Sequence, residues 1–226
     1  MTADSEIRRY LEPAQFVDSG SANVAAFARE AAGPGGDDVT RAVRIYHAVR
    51  DDIVYTPYCD FTDVETFRAS ACLTRGAGFC VAKAALLTAA ARAAGIPARV
   101  GFADVRNHLC TPKLRALMGT DSFVYHGYTD LYLAGRWVKA TPAFDRGLCE
   151  KFGVKALDFD GRADSLFQPY DVAGRRHMEY LLDRGTREDV PVAEIMAAFA
   201  EHYPGLTARG AAAPVSQFRD EAKPAD

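Results

Sequence analysis

No stretch of this chain stays apolar for long enough to span a bilayer. No apolar core follows the polar, acidic start Met1-Thr2-Ala3-Asp4-Ser5-Glu6, so a secretory leader is not expected and the cytosol is the default compartment. No CxxC pair occurs. The 5 cysteines, at 59, 72, 80, 110 and 149, are an odd and scattered set. They argue against a disulfide framework or a zinc ribbon and read as reduced thiols. A dense basic run is also missing: 27 Lys and Arg against 30 Asp and Glu give a formal charge of −3. Electrostatics therefore offer nothing to a nucleic acid or a membrane surface. Internal repeats are absent, and no linker divides the body in two.

What the chain has is apolar surface to bury: 49% of its 226 residues are hydrophobic, enough for one large core. Residues 1–12 read as a loose lead-in and 13–206 as a single domain. Helices are expected over 21–32 and 38–51, on either side of Gly33-Pro34-Gly35-Gly36. In the second, Val43, Tyr46, His47, Val49 and Arg50 recur at helical spacing, and Asp37 or Asp38 can cap its start. Ile53-Val54-Tyr55 is a short strand stopped by Pro57, and Asp63 can cap a short helix through Arg68.

From Cys80 to about Ala94 the chain is rich in Ala and Leu, with apolar residues on nearly every side, the pattern of a buried helix. Gly95 ends it and Pro97 prevents its return. A strand over 99–105 follows, then a polar insert over 107–121 with one helical turn near Leu114–Leu117. Phe123–Leu133 and Trp137–Ala140 form a hairpin around Ala134-Gly135-Arg136. A helix at 147–152, a strand near Leu157-Asp158-Phe159, and helices at about 174–183 and 191–202 complete the body. Residues 207–226, poor in anything to bury, read as a disordered tail. Helices, a buried helix, consecutive antiparallel strands and further helices argue for an α+β fold.

Cys80 stands at the first turn of the buried helix, after Gly76-Ala77-Gly78-Phe79. A thiol there lies among unpaired backbone N–H groups at the positive end of the helix dipole, which favours the thiolate. Gly76 and Gly78 would let a substrate carbonyl lie against the backbone, and the N–H of Cys80 could face a developing oxyanion. Against this, cysteine is often a small buried apolar residue, as expected for the other four. His126 shares one face of its strand with Tyr128, Asp130 and Tyr132. Alone it reads as a half-buried sheet histidine; beside a thiol it reads as a base. A base needs an orienting group. Asp130 is too distant, since four residues of strand span ~13 Å at ~3.3 Å each. Across the hairpin, Thr141 and Asp145 are the available polar side chains, and a carboxylate orients an imidazolium better than a hydroxyl.

These blocks resemble the transglutaminase-like superfamily of papain-like cysteine enzymes. The likeness runs from about Ile53 to Asp145 through Gly78-Phe79-Cys80, Gly95-Ile96-Pro97-Ala98-Arg99, His126 to Leu133, and Trp137-Val138-Lys139-Ala140-Thr141-Pro142. It implies a Cys-bearing helix packed on an antiparallel sheet, with Cys80 as nucleophile and His126 as base. The family's aspartate position falls on Thr141. Thr141 then orients His126 weakly, or Asp145 reaches back, or the site is impaired. By the same likeness Tyr55 is a candidate oxyanion donor, although packing in the core is the plainer account. The resemblance calls for no metal or organic cofactor.

The chemistry implied is acyl transfer through a Cys80 thioester, from a peptide, protein or small amide or acyl substrate. Hydrolysis by a peptidase or amidase is favoured over transfer to an amine, because water needs no second site. A non-catalytic binding module on the same fold is the rival, and an amide-forming enzyme using a carrier-bound acyl group is another. His108 and Cys110 are two ligands where zinc takes at least three. His177-Met178-Glu179-Tyr180, His47 and His202 read as packing within helices. Gly33–Gly36 lacks the strand and lysine of a phosphate loop.

Overall fold

The computed structural model describes residues 3–108, 110–167, 169–207 and 213–222. Ten α-helices, two short 3-10 helices and six strands occur among the described residues. The core is a four-stranded antiparallel sheet backed by one buried helix. The sheet runs in the order β5-β4-β3-β6, with β3 at Ala98–Asn107, β4 at Ser122–Leu133, β5 at Arg136–Ala140 and β6 at Met178–Arg187. The helix is α5, Cys80–Ala93, in which all positions from 80 to 92 are buried. Its polar members are held by backbone carbonyls. Lys83 donates to the carbonyls of Arg50 (2.9 Å) and Ile53 (2.5 Å), and Arg92 to those of Ala98, Glu12 and Glu188. These bonds offset the cost of burying two cations.

Helices α2 (Ala22–Ala32), α3 (Asp38–Asp52) and α4 (Ala69–Arg75) pack around α5. Asp37 caps α3 by accepting from Thr40 N, and Asp63 caps the single turn Val64–Phe67 through Glu65 N. Val54–Tyr55 (β1) pairs in parallel with Ala77–Gly78 (β2), which ties the approach to Cys80 to the end of α3. In the insert, α6 (Pro112–Met118) is capped by Thr111, and α7 (Arg146–Phe152) is capped by Asp145.

Four segments differ from the sequence reading. The lead-in carries a helix, α1 (Ala3–Arg8), and Tyr10 behind it is buried with its ring 5.2 Å from that of Trp137. The helix expected at about 174–183 is instead β6, paired antiparallel to β3 from Asn107↔Met178 to Val100↔Arg187. Local helix preference in Met-Glu-Tyr-Leu-Leu is overridden there, because the outer edge of β3 needs partners for its N–H and C=O groups. Leu157-Asp158-Phe159 forms no strand. Beyond α8 (Val192–His202) and α9 (Pro204–Thr207), the segment read as a disordered tail forms α10, Ser216–Glu221, with Phe218 buried. Residues 208–212 and 223–226 of that stretch lie outside the described residues.

Candidate functional site

Phe79 precedes α5 in extended conformation and offers no side-chain oxygen, so the first-turn N–H groups of α5 have no side-chain cap. The Cys80 sulfur sits there. The backbone N–H groups of Gly127, Val81 and Cys80 itself lower its pKa, but burial outweighs them and pushes the thiol up to about 11. The helix start therefore does not give a resting thiolate. Burial also pushes up Cys59, Cys72, Cys110 and Cys149, and Cys80 differs from them in the three backbone N–H groups that face its sulfur.

The glycines before Cys80 have local reasons. Gly76 ends α4 in the left-handed conformation at φ 64°. A Cβ on Gly78 would lie 2.7 Å from the Cys72 sulfur, so this glycine serves packing beneath the helix. Gly127 is where the sheet meets the helix start. A Cβ there would fall 2.8 Å from Val81 Cα and 3.1 Å from the Cys80 carbonyl oxygen. The strand bearing His126 thus touches the helix bearing Cys80 one residue beyond the histidine.

A bulge precedes His126. The β3–β4 ladder passes from Ala103↔His126 to Val105↔Phe123, so Val124 and Tyr125 oppose the single residue Asp104. Tyr125 takes a left-handed backbone, φ 55°, and its N–H donates to Asp104. Arg184 holds that carboxylate at 2.6 and 2.8 Å and lies over the Tyr125 ring. The extra residue turns Phe123 and Val124 together toward Cys80, and both line the cavity there.

His126 is buried, and burial alone holds its imidazole down to about 4. Its Nε2 has no hydrogen-bond partner, and neither has the buried Thr141 Oγ1. Thr141 follows the last β4–β5 pair, Thr129↔Ala140, and its backbone N–H donates to the Ser165 carbonyl at 2.8 Å. Asp145 is engaged elsewhere: its carboxylate accepts from the N–H groups of Tyr55 (3.2 Å) and Leu148 (2.9 Å) and pairs with Arg219 at 2.6 Å. Asp130 faces Arg99, with oxygen–nitrogen distances of 2.8 and 2.9 Å. The peptide that follows His126 therefore abuts the helix start that bears Cys80, the Thr141 hydroxyl has no hydrogen-bond partner, and Asp145 is tied to Tyr55, Leu148 and Arg219.

Beside Cys80 lies a cavity of about 30 Å³, walled by Phe61 and Phe79, by Leu114 and Met118 of α6, and by Phe199 and Leu206 of α8 and α9. Tyr55 also lines it. The Tyr55 ring is gripped by Phe144 at 4.8 Å and Phe218 at 5.6 Å, and burial raises its hydroxyl pKa well above the ordinary value. His108 pairs with Glu179 at 3.4 Å, and among the described residues no group of three or more His, Cys, Asp and Glu is placed to hold a metal. No helix among them is long and apolar enough to cross a membrane.

The profile of the transglutaminase-like superfamily matches residues 25–142, more than half of the chain. The chain belongs to that superfamily. Its transglutaminase-like, α+β fold also resembles that of a candidate cysteine protease from Cytophaga hutchinsonii, with a TM-score of 0.51 and 20% identity. That match covers 85% of this chain and 50% of the other, so the chain spans about half the length of that protein. A candidate protease from Parabacteroides distasonis is similar at TM-score 0.39 and 19% identity, over 60% of this chain and 25% of that one. No curated protein matches the chain. Membership places the chain among cysteine enzymes. The tail arm around Phe218 and the bulge at Tyr125, which the superfamily motifs do not include, went unread in the sequence. Val215 and Phe218 are the only large apolar residues between 208 and 226, and a single aromatic among charges was the one available signal for the arm.

Proposed function

We propose that the protein catalyses cysteine-dependent acyl transfer, with Cys80 as nucleophile and His126 as general base and acid. The observation that carries this reading is the junction itself. The thiol, an uncapped helix start and the peptide that follows His126 converge at the wall of a cavity. In the reaction, sulfur bonds to the carbonyl carbon of a peptide or amide while its proton passes to His126. The C–N bond breaks, and the imidazolium protonates the departing amine. Water then attacks the thioester and gives a proton to His126. The C–S bond breaks, the proton returns to sulfur, and a carboxylic acid leaves. An amine in place of water gives transglutaminase-type transfer.

Burial pushes the Cys80 thiol up and the His126 imidazole down, and both directions favour proton transfer in step with attack on the carbonyl carbon. The N–H of Cys80 and the Tyr55 hydroxyl are the candidate oxyanion donors. Hydrolysis is favoured over amine transfer because it needs no second acceptor site.

Among the described residues His126 Nε2 has no hydrogen-bond partner and no carboxylate acts on the ring, which favours a second reading, a binding module on the same fold. Alkylation separates the two. In the enzyme, iodoacetamide near neutral pH modifies Cys80 far faster than the other four thiols, and His126→Ala removes the advantage. Equal, slow modification of all five cysteines would leave the binding module.

A further inference from the structure

Resting on the reading of Cys80 as nucleophile, we infer that the acyl group it accepts is short, uncharged and apolar. The cavity beside the sulfur has no charged side chain in its wall. Among its few polar atoms, the Tyr203 hydroxyl is already committed: it donates to the Ser122 carbonyl at 2.9 Å and accepts from Val124 N at 2.5 Å. Beyond the Tyr55 hydroxyl, needed at the reacting carbonyl, a carboxylate, an ammonium or a glutamine amide entering here would lose its water with no charged side chain among the described lining residues to replace it. The wall thus selects against the polar side chains that many acyl-transfer substrates carry.

Size follows from the same wall. A cavity of about 30 Å³ has room for about two water-sized groups. Its outer side is formed where α9 crosses α6, and the crossing is backbone on backbone: a Cβ on Gly205 would lie 2.6 Å from the Leu117 carbonyl oxygen. Side-chain rotation cannot widen such a contact. Met118 and Leu114, presented by α6, fix how far an acyl chain can extend.

The test uses 4-nitrophenyl acetate, butyrate, octanoate and hemisuccinate on the intact protein. In each reaction the Cys80 sulfur bonds to the acyl carbon, the ester C–O bond breaks, 4-nitrophenolate leaves, and the thiol proton passes through His126 to solvent. Acylation of Cys80 is read by intact mass and nitrophenolate burst, and each rate is divided by that of the same ester with dithiothreitol. Acetate and butyrate should exceed octanoate and hemisuccinate by about tenfold or more. Met118→Ala should shift the preference toward octanoate. Hemisuccinate as fast as butyrate, or octanoate fastest on the unaltered protein, overturns the inference. Cys80 selected by iodoacetamide but acylated by none of the esters also overturns it, and leaves the thiol reading standing. Cys80 selected by neither reagent removes both.

Discussion

Acidification should destabilise this fold through two particular imidazoles. His126 and His177 are both buried, and burial holds each down to about 4 from an ordinary 6.5. For His177, Asp171 pulls upward and His108 pushes downward, and the ring lies stacked 6.0 Å from Phe144. The unfolded chain takes up both protons near pH 6.5; the folded chain resists until about pH 4. The stability each contributes is thus fully present above 6.5 and lost as pH falls from 6.5 to 4. Linkage gives a loss of about 2 kcal/mol per histidine between pH 7 and 5, and about 3 by pH 4. Together that is about 4 kcal/mol at pH 5, a large share of the 5–15 kcal/mol typical of a domain. Carboxylates also respond to acid, so the measurement is a difference. Urea unfolding, followed by circular dichroism and Trp137 fluorescence at pH 7 and 5, is compared among the native chain, His126→Gln and His177→Gln. Each variant should show a pH dependence smaller by about 2 kcal/mol. Variants that track the native chain within ~0.5 kcal/mol would refute the reasoning, because the imidazoles would then have access to protons in the folded state.

Three further substitutions probe the junction. Thr141→Val removes a buried hydroxyl that has no partner, so the urea midpoint should hold or rise, by up to about 1 kcal/mol in stability; a loss larger than that would mean the hydroxyl is bonded. Gly127→Ala drives a methyl into the Val81 backbone, costing about 1–3 kcal/mol and slowing alkylation of Cys80; unchanged melting and unchanged labelling would show that the strand does not press on the helix start. Phe218→Ala should cost about 3 kcal/mol or more in thermal unfolding, since its ring is buried among Tyr55, Tyr58 and Phe152, whereas an unaltered melting temperature would mean that α10 is undocked.

The elements around Cys80 were legible because their signals are local. The apolar circumference of α5, the glycine and proline that stop it, and the β4–β5 hairpin turn all sit within their own segments. The places of Cys80 at a helix start and of His126 on the neighbouring strand were legible by the same means, while their catalytic roles belong to the proposal. The parts that were missed depend on partners distant in sequence. β6 carries a helix-favouring run, and only the unpaired edge of β3 makes it a strand. The role of Asp145 is decided by Arg219, 74 positions away, and by the N–H of Tyr55, 90 positions away. The thiol's protonation followed burial, where the sequence suggested the helix dipole; the packing of α6, α8 and α9 over Cys80 is a tertiary fact that no local motif encodes.

That packing has a consequence for the protein while it is being made. Cys80, Gly127 and His126 are all synthesised well before Phe199, Tyr203, Leu206 and Phe218, the residues that cover the cavity and brace Tyr55. A nascent chain that has emerged only through the β4–β5 hairpin holds both Cys80 and the strand that abuts its helix start, and lacks the aromatic side chains that cover the cavity from α8. Part of the desolvation that holds Cys80 near 11 does not exist at that stage. With less burial to disfavour the charged form, the thiol of such a chain is shifted back toward its ordinary range. α8 and α9, which follow the β4–β5 hairpin in the chain, thus supply part of the cover that keeps the Cys80 thiol from water, and a chain clipped ahead of them would lack it.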